Sequence, residues 1–364
     1  MHCLIVICLF TLIFKDVQTL LLNQMDWKNL LNSGALDVNV LRCFLRDKNF
    51  CPSPYIEHRL YAPNGPRSGL PLNIHNPLTL YKGGFSKQRE TVFIVHGFNG
   101  TAIDMHLQFL RDAYLSREYN VITVDWRPLT RYPCYLHSLI NTRLTAQCTA
   151  QVYSFLTHYG ASREKITCVG HSLGAHICGM ISNHLTKKQY RIIGLDPARP
   201  LIERKKSNRF RLSHDDASVI QVLHTNAGYL GQEDNTGHLN YCVNGGRVQP
   251  FCKGNPISKS INIYILASFI WVYPTGRYRC SHFLSICYLA TATMKHTKFM
   301  GVPCPNGCVN LSGPKRLPVN GKVNPFEFIS LLREYYIGND APDNARGCIC
   351  IDVPYAKHCP FTDS

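Results

Sequence analysis

The chain has 364 residues, with 39 Lys and Arg against 23 Asp and Glu, a formal net charge of +16, and 17 cysteines. That length suffices for one large α/β domain with a substantial core, and without internal repeats or low-complexity stretches a repeat architecture is excluded. The densest basic run, Arg204, Lys205, Lys206, Arg209 and Arg211, suits anionic lipid head groups or sulfated glycans, or is simply a solvated face.

In chain order, Met1 to Thr19 holds an apolar block (CLIVICLFTLIF) ending in Val17-Gln18-Thr19, the pattern of a signal peptide and its cleavage site. The block is short for a membrane anchor and is followed by Lys15-Asp16. Residues 20–54 are expected to form an N-terminal extension, 55–312 the main domain and 313–364 a Cys-containing C-terminal extension. Removing residues 1–19 takes Cys3 and Cys8 from the seventeen cysteines and leaves fifteen. In a secreted chain this implies a disulfide framework, and the odd number leaves at least one thiol unpaired. A pair between Cys134 and Cys148 is expected. Nucleic acid is not an expected partner for such a chain.

Apolar runs at 91–95, 121–124, 165–169, 190–195 and 218–223 read as short, nearly continuous strands, as in a parallel sheet covered on both faces. Helices are expected near 103–117, 137–158, 175–186 and 282–294. The chemistry sits at strand ends. Gly170-His171-Ser172-Leu173-Gly174 lies between a strand and a helix, where a strained turn pushes a serine hydroxyl outward and small residues let the two elements approach. The helix N-terminus behind Ser172 offers N–H groups to a developing oxyanion.

The next strand ends in Asp196-Pro197, one βα unit from Ser172, the separation that sets two side chains side by side at a sheet's C-terminal edge. Asp196 is therefore the expected acid. The base must come later, on a loop that folds back over that edge. His282 fits, because Cys280 two residues earlier can pin the loop; His224, at the end of the 218–223 run, is the competitor. The order Ser172, Asp196, His282 is that of an α/β-hydrolase. His282 would take the Ser172 proton while Asp196 holds the imidazole tautomer. The run at 91–95 leads into His96-Gly97-Phe98, which nominates the backbone N–H groups of Phe98 and Leu173 as the oxyanion hole.

HGF at 96–98, VDW at 124–126, GHSLGAH at 170–176, GLDP at 194–197, the HT at 224–225, GHLNY at 237–241, NGG at 244–246 and CSH at 280–282 occur in the order seen in the pancreatic lipase family. From about residue 55 to 300 the chain resembles a secreted, insect-type member. The resemblance implies an α/β-hydrolase fold with a mostly parallel sheet flanked by helices, and hydrolysis of neutral lipid or phospholipid esters at an interface by the same three residues. It also pairs Cys252 with Cys280, the cysteines that flank the lid over the site.

That lid departs from the family. Ile263 to Tyr273 (IYILASFIWVY) is uninterruptedly apolar, where family lids are amphipathic, and it is too short to span a bilayer. A buried core strand, non-coding sequence retained in the reading frame, and a lipid-inserting lid are all open. A long lid points to a triacylglycerol lipase and a short one to a phospholipase A1.

Asn208 and Ser213 stand where calcium-binding members have carboxylates, while Arg211 and Asp216 are kept. Calcium needs several hard oxygen ligands, so none is expected. Zinc at Cys304…Cys308 or Cys348…Cys350 lacks a matching half, so neither metal nor cofactor is anticipated. Only about fifty residues follow Ser312, too few for a lipid-binding β-sandwich, so no colipase partner is expected. Asn99-Gly-Thr101 and Asn310-Leu-Ser312 are glycosylation sequons; Asn310 is the better candidate, because Asn99 neighbours the oxyanion loop. The family also contains yolk proteins that lost the nucleophile, which leaves a non-catalytic lipid-binding role as the alternative.

Overall fold

The computed structural model describes residues 50–353 apart from 133, 203–206, 253–275, 296, 305–306 and 309–332. The expected signal peptide at 1–19, most of the 20–54 extension, the apolar run at 263–273, the basic residues 204–206 and Asn310 lie outside the described residues. The described residues belong to one compact unit.

Eleven strands form one sheet: β1 (Glu57–Tyr61), β2 (Leu70–Pro71), β3 (Thr91–Val95), β4 (Asn120–Asp125), β5 (Ile166–His171), β6 (Gln189–Leu195), β7 (Ala217–His224), β8 (Leu239–Val243), β9 (Lys298–Pro303), β10 (Arg333–Tyr336) and β11 (Gly347–Ile351). Their order is β10-β9-β11-β8-β7-β6-β5-β3-β4-β1-β2. From β4 through β3, β5, β6, β7 and β8 to β11 every pairing is parallel. Antiparallel strands close both edges.

The helices are α1 (Leu78–Lys82), α2 (Met105–Leu115), α3 (Tyr135–His158), α4 (Leu173–Ile181) and α5 (Gly276–Lys295). Alternate residues of each central strand serve opposite layers. Phe93, Val95, Ile122 and Ile192 join the core under α3 and α4, while Val92, Ile94, Val121 and Ile193 join the one under α2 and α5. That is why these strands read as unbroken apolar runs: each buried side chain contributes roughly 1.5–3 kcal/mol whichever face it takes. Polar residues enter the core where their own helix satisfies them. In α3 the buried hydroxyls of Thr142, Thr145 and Thr149 donate to the carbonyls of Leu139, Asn141 and Thr145 at 2.6, 3.0 and 2.7 Å.

Cys148 is bonded to Cys51, not to Cys134. Cys134 caps the N-terminus of α3 and Cys148 lies inside the same helix. Fourteen helical residues span about 21 Å, far beyond the Cα separation a disulfide tolerates. Cys134 is itself in a disulfide. Cys252 and Cys280 are bonded, and so are Cys168 and Cys178, which tie β5 to α4.

The C-terminal region, expected as an extension, completes the sheet. Strand β11 slots between β8 and β9, and Asp340 pairs with Arg117, two residues beyond α2, through two contacts of 2.9 and 3.0 Å. Cysteines lock this edge through Cys242–Cys308 and Cys304–Cys350. The thiol of Cys348 lies 3.4 Å from the sulfurs of both Cys242 and Cys304. It is the free cysteine among the described residues, and burial pushes its pKa up to about 11. Of the four cysteines at 304–308 and 348–350, Cys304, Cys308 and Cys350 are thus in disulfides and Cys348 is not.

Candidate active site

Ser172 occupies the turn between β5 and α4 with φ 57° and ψ −119°, a region few non-glycine residues tolerate. Two glycines make the turn possible. A Cβ at Gly170 would come within 2.2 Å of the Gly174 carbonyl oxygen, and one at Gly174 within 2.1 Å of the Val95 carbonyl oxygen. The Ser172 N–H donates to Leu195 O at 3.0 Å, joining the turn to β6. Leu173 begins α4, so its N–H is among the first of the helix.

Asp196 follows β6 in a left-handed conformation, φ 44°, and is fully buried. Its Oδ1 accepts the N–H groups of Thr225 and Asn226, each at 2.9 Å. Its Oδ2 lies 2.5 Å from His282 Nδ1. Three donors on one carboxylate offset the cost of removing it from water. The space is so tight that a Cβ at Gly231 would sit 2.4 Å from Oδ1.

His282 stands in the second turn of α5, not on a loop. The Cys252–Cys280 bridge acts on that helix, so the expected pin exists but holds a helical turn. His224 points elsewhere: its ring nitrogens meet Gln232 O at 3.2 Å and Asn240 Oδ1 at 3.4 Å, and burial lowers its pKa. Of the two candidate bases, the one that meets Asp196 is His282.

Ser172, His282, Phe98 and Tyr135 line one cleft. Phe98 packs edge-on against Tyr135, ring centroids 5.1 Å apart. The loop carrying Phe98 is clamped from below. His96 Nε2 accepts the Trp126 N–H at 3.0 Å, and the Trp126 indole N–H donates to His96 O at 2.9 Å. That leaves Nδ1 as the His96 donor, to Gly97 O at 2.9 Å. Asp125 Oδ2 accepts Thr101 Oγ1 and Ala102 N at 2.7 and 3.2 Å, fixing the far end of the loop.

His171 lies under the site without having been singled out in the sequence. Its ring lies tilted against that of His282 with centroids 4.5 Å apart, and Nε2–H donates to His282 O at 3.2 Å. Burial above all, with the His282 charge second, pushes its pKa well below the ordinary histidine value. His171 is therefore a neutral donor that supports the backbone of its neighbour. Its place inside the GHSLG string was the available signal, masked by the attention the serine draws.

Of the residues kept from the calcium-loop pattern, Asp216 accepts the Ser213 N–H at 2.8 Å and burial pushes its carboxyl up to about 7. Arg211 pairs with Asp234 at 2.8 Å.

A family model described as Lipase matches residues 52–309. Pancreatic lipase-related protein 2 from Rattus norvegicus is 32% identical over 257 residues, covering 67% of this chain and 53% of that protein. The Homo sapiens protein of the same name is 31% identical over 253 residues, with the same coverage. Inactive pancreatic lipase-related protein 1 from Homo sapiens is 30% identical over 253 residues, again covering 67% and 53%. The chain spans about half the length of these relatives.

Proposed function

The chain belongs to the pancreatic lipase family, and on that premise we propose that it hydrolyses lipid carboxylic esters through an acyl-enzyme on Ser172. The observation that carries this reading is the contact between His282 Nδ1 and the buried Asp196 carboxylate beside the cleft that Ser172 and His282 share. With Nδ1 engaged by Asp196, Nε2 is the nitrogen left to take the Ser172 proton as Oγ attacks the ester carbonyl. Asp196 holds that tautomer and stabilises the imidazolium that forms. The N–H groups of Phe98 and Leu173 receive the oxyanion, a service worth about 10²–10³ in turnover per donor in related chemistry. Protonation of the leaving alcohol by His282 frees the first product, and water activated by the same histidine releases the fatty acid.

The substrate is a triacylglycerol or a phospholipid cleaved at its sn-1 ester, at a membrane or emulsion surface. The disulfides support an oxidising compartment, hence secretion. No helix among the described residues is long and apolar enough to cross a membrane. A relative named as inactive gives the second reading, a lipid-binding protein without turnover. A fluorophosphonate probe separates the two. Stoichiometric labelling of Ser172, with fatty acid released from emulsified triacylglycerol or phospholipid vesicles, is expected; a protein that binds lipid but neither labels nor releases fatty acid is a binding protein. The product then names the substrate, with sn-1 release from phospholipid marking a phospholipase A1.

A further inference from the structure

Resting on that reading, we propose that Gln249 is a positioning residue for the Asp196–His282 couple, holding the supports of both from one buried residue. Gln249 follows β8 and is fully buried. Its Nε2 donates to Thr225 O at 3.0 Å and to Val243 O at 2.9 Å. Its Oε1 accepts the Tyr288 hydroxyl at 2.9 Å and Asn244 Nδ2 at 3.1 Å. Two carbonyls at one end and two donors at the other fix which end of the carboxamide is nitrogen. With every carboxamide position engaged in a dry setting, the side chain has one arrangement.

The contact to Thr225 O reaches Asp196 through a single peptide plane. The carbonyl of Thr225 and the N–H of Asn226 belong to the same planar unit, and that N–H donates to Asp196 Oδ1 at 2.9 Å. Pinning the carbonyl therefore aims the N–H at the carboxylate, and accepting a hydrogen bond on the carbonyl side strengthens donation on the other. The backbone of Gln249 serves the partner: its N–H donates to Ser281 Oγ at 2.9 Å, and that hydroxyl donates to Arg277 O at 2.9 Å within α5. Ser281 immediately precedes His282, and Tyr288 is on the same helix. One residue thus links the loop under Asp196, the end of β8 and the helix that presents His282. Asn244 extends the link to the sheet edge, its Oδ1 accepting the Val353 N–H at 2.8 Å.

Gln249→Met keeps the shape of the side chain and removes its donors. Per active site titrated to its end point with fluorophosphonate, kcat on a soluble short-chain ester is expected to fall ~10- to 100-fold with KM within about twofold, the cost of a misplaced couple. The acid limb of kcat/KM should move to lower pH by about half a unit, because a loosened Asp196 stabilises imidazolium less. Gln249→Glu, protonated between two carbonyl oxygens, keeps one donor and should recover much of the rate and of the limb; it also serves should the Met variant fail to fold. A variant with wild-type kcat per titrated site and an unmoved acid limb, even with a lowered Tm, overturns the positioning role. A wild-type protein that neither labels nor turns over ester overturns the hydrolase reading and this role together.

Discussion

Ser172 is held by a strained turn between its own strand and helix, packed on the Val95 carbonyl and tied to Leu195 O, whereas Asp196 and His282 are 86 residues apart in sequence and meet through hydrogen bonds drawn from distant segments. The first arrangement is steric and covalent: Gly170 and Gly174 leave no room for a Cβ, and Cys168–Cys178 ties strand to helix ten residues away. The second is polar, with Thr225, Asn226 and Gly231 around a carboxylate that no single segment could hold, and Gln249 behind them on Thr225 O. A strained turn needs rigidity, which close packing supplies; a buried charge needs donors at fixed positions, which only converging chain segments supply.

The largest effects should come from the chemistry itself. Ser172→Ala and His282→Ala are each expected to lower kcat on the order of 10⁴–10⁶-fold while leaving the fold intact, and His224→Ala should act through stability instead. Steady-state rates beside melting curves check this, and a reversal of the two histidines would return the base to His224. Asp196→Asn should follow at about 10⁴-fold, with the fold retained, because the side chain keeps its shape but favours the wrong imidazole tautomer.

The steric side breaks differently. Gly174→Ala drives a Cβ against the Val95 carbonyl and should cost roughly 3–5 kcal/mol of stability, visible as a lowered Tm. Wild-type stability in this variant would mean the turn is more pliant than its packing implies.

Acid probes the same face. Burial lowers His58 and His176 to about 4, with His58 Nε2 3.0 Å from Thr149 Oγ1 on α3 and His176 Nδ1 on α4 accepting the Leu212 N–H at 3.0 Å. Between the ordinary histidine value of 6.5 and about 4 the unfolded chain binds more protons at these sites, so their stabilisation is complete above 6.5 and is lost as pH falls. Asp216, raised to about 7 by burial, works in the opposite sense. Two fully buried histidines outweigh one carboxyl, and denaturant midpoints should drop from pH 7 to pH 4.5. A flat profile would place water beside these rings. The smallest effect expected is that of Cys168→Ala with Cys178→Ala, about 2–3 kcal/mol for so short a loop, with kcat little changed if glycine packing dominates the turn.

The existence of strands β3 to β7, the helices beside them and the places of Ser172 and Asp196 at strand ends were legible because a parallel sheet buried on both faces writes itself as apolar runs and a strand end as short local strings. Strands β1, β2 and β8 to β11 were not, since they are short, mix polar with apolar residues and pair with partners distant in sequence. The Cys51–Cys148 bond was hidden for the same reason: distance along a helix is known from sequence, but which remote cysteine lies beside it is not. Sequence by itself determined the local chemistry, a serine on a glycine-flanked turn and an acid and base in hydrolase order. Tertiary structure alone decided which histidine meets the acid, that the C-terminal segment completes the sheet, and that Gln249 stands between Thr225 and Ser281. Burial and hydrogen bonding across the sheet are set by where segments converge, and convergence is a property of the packed chain.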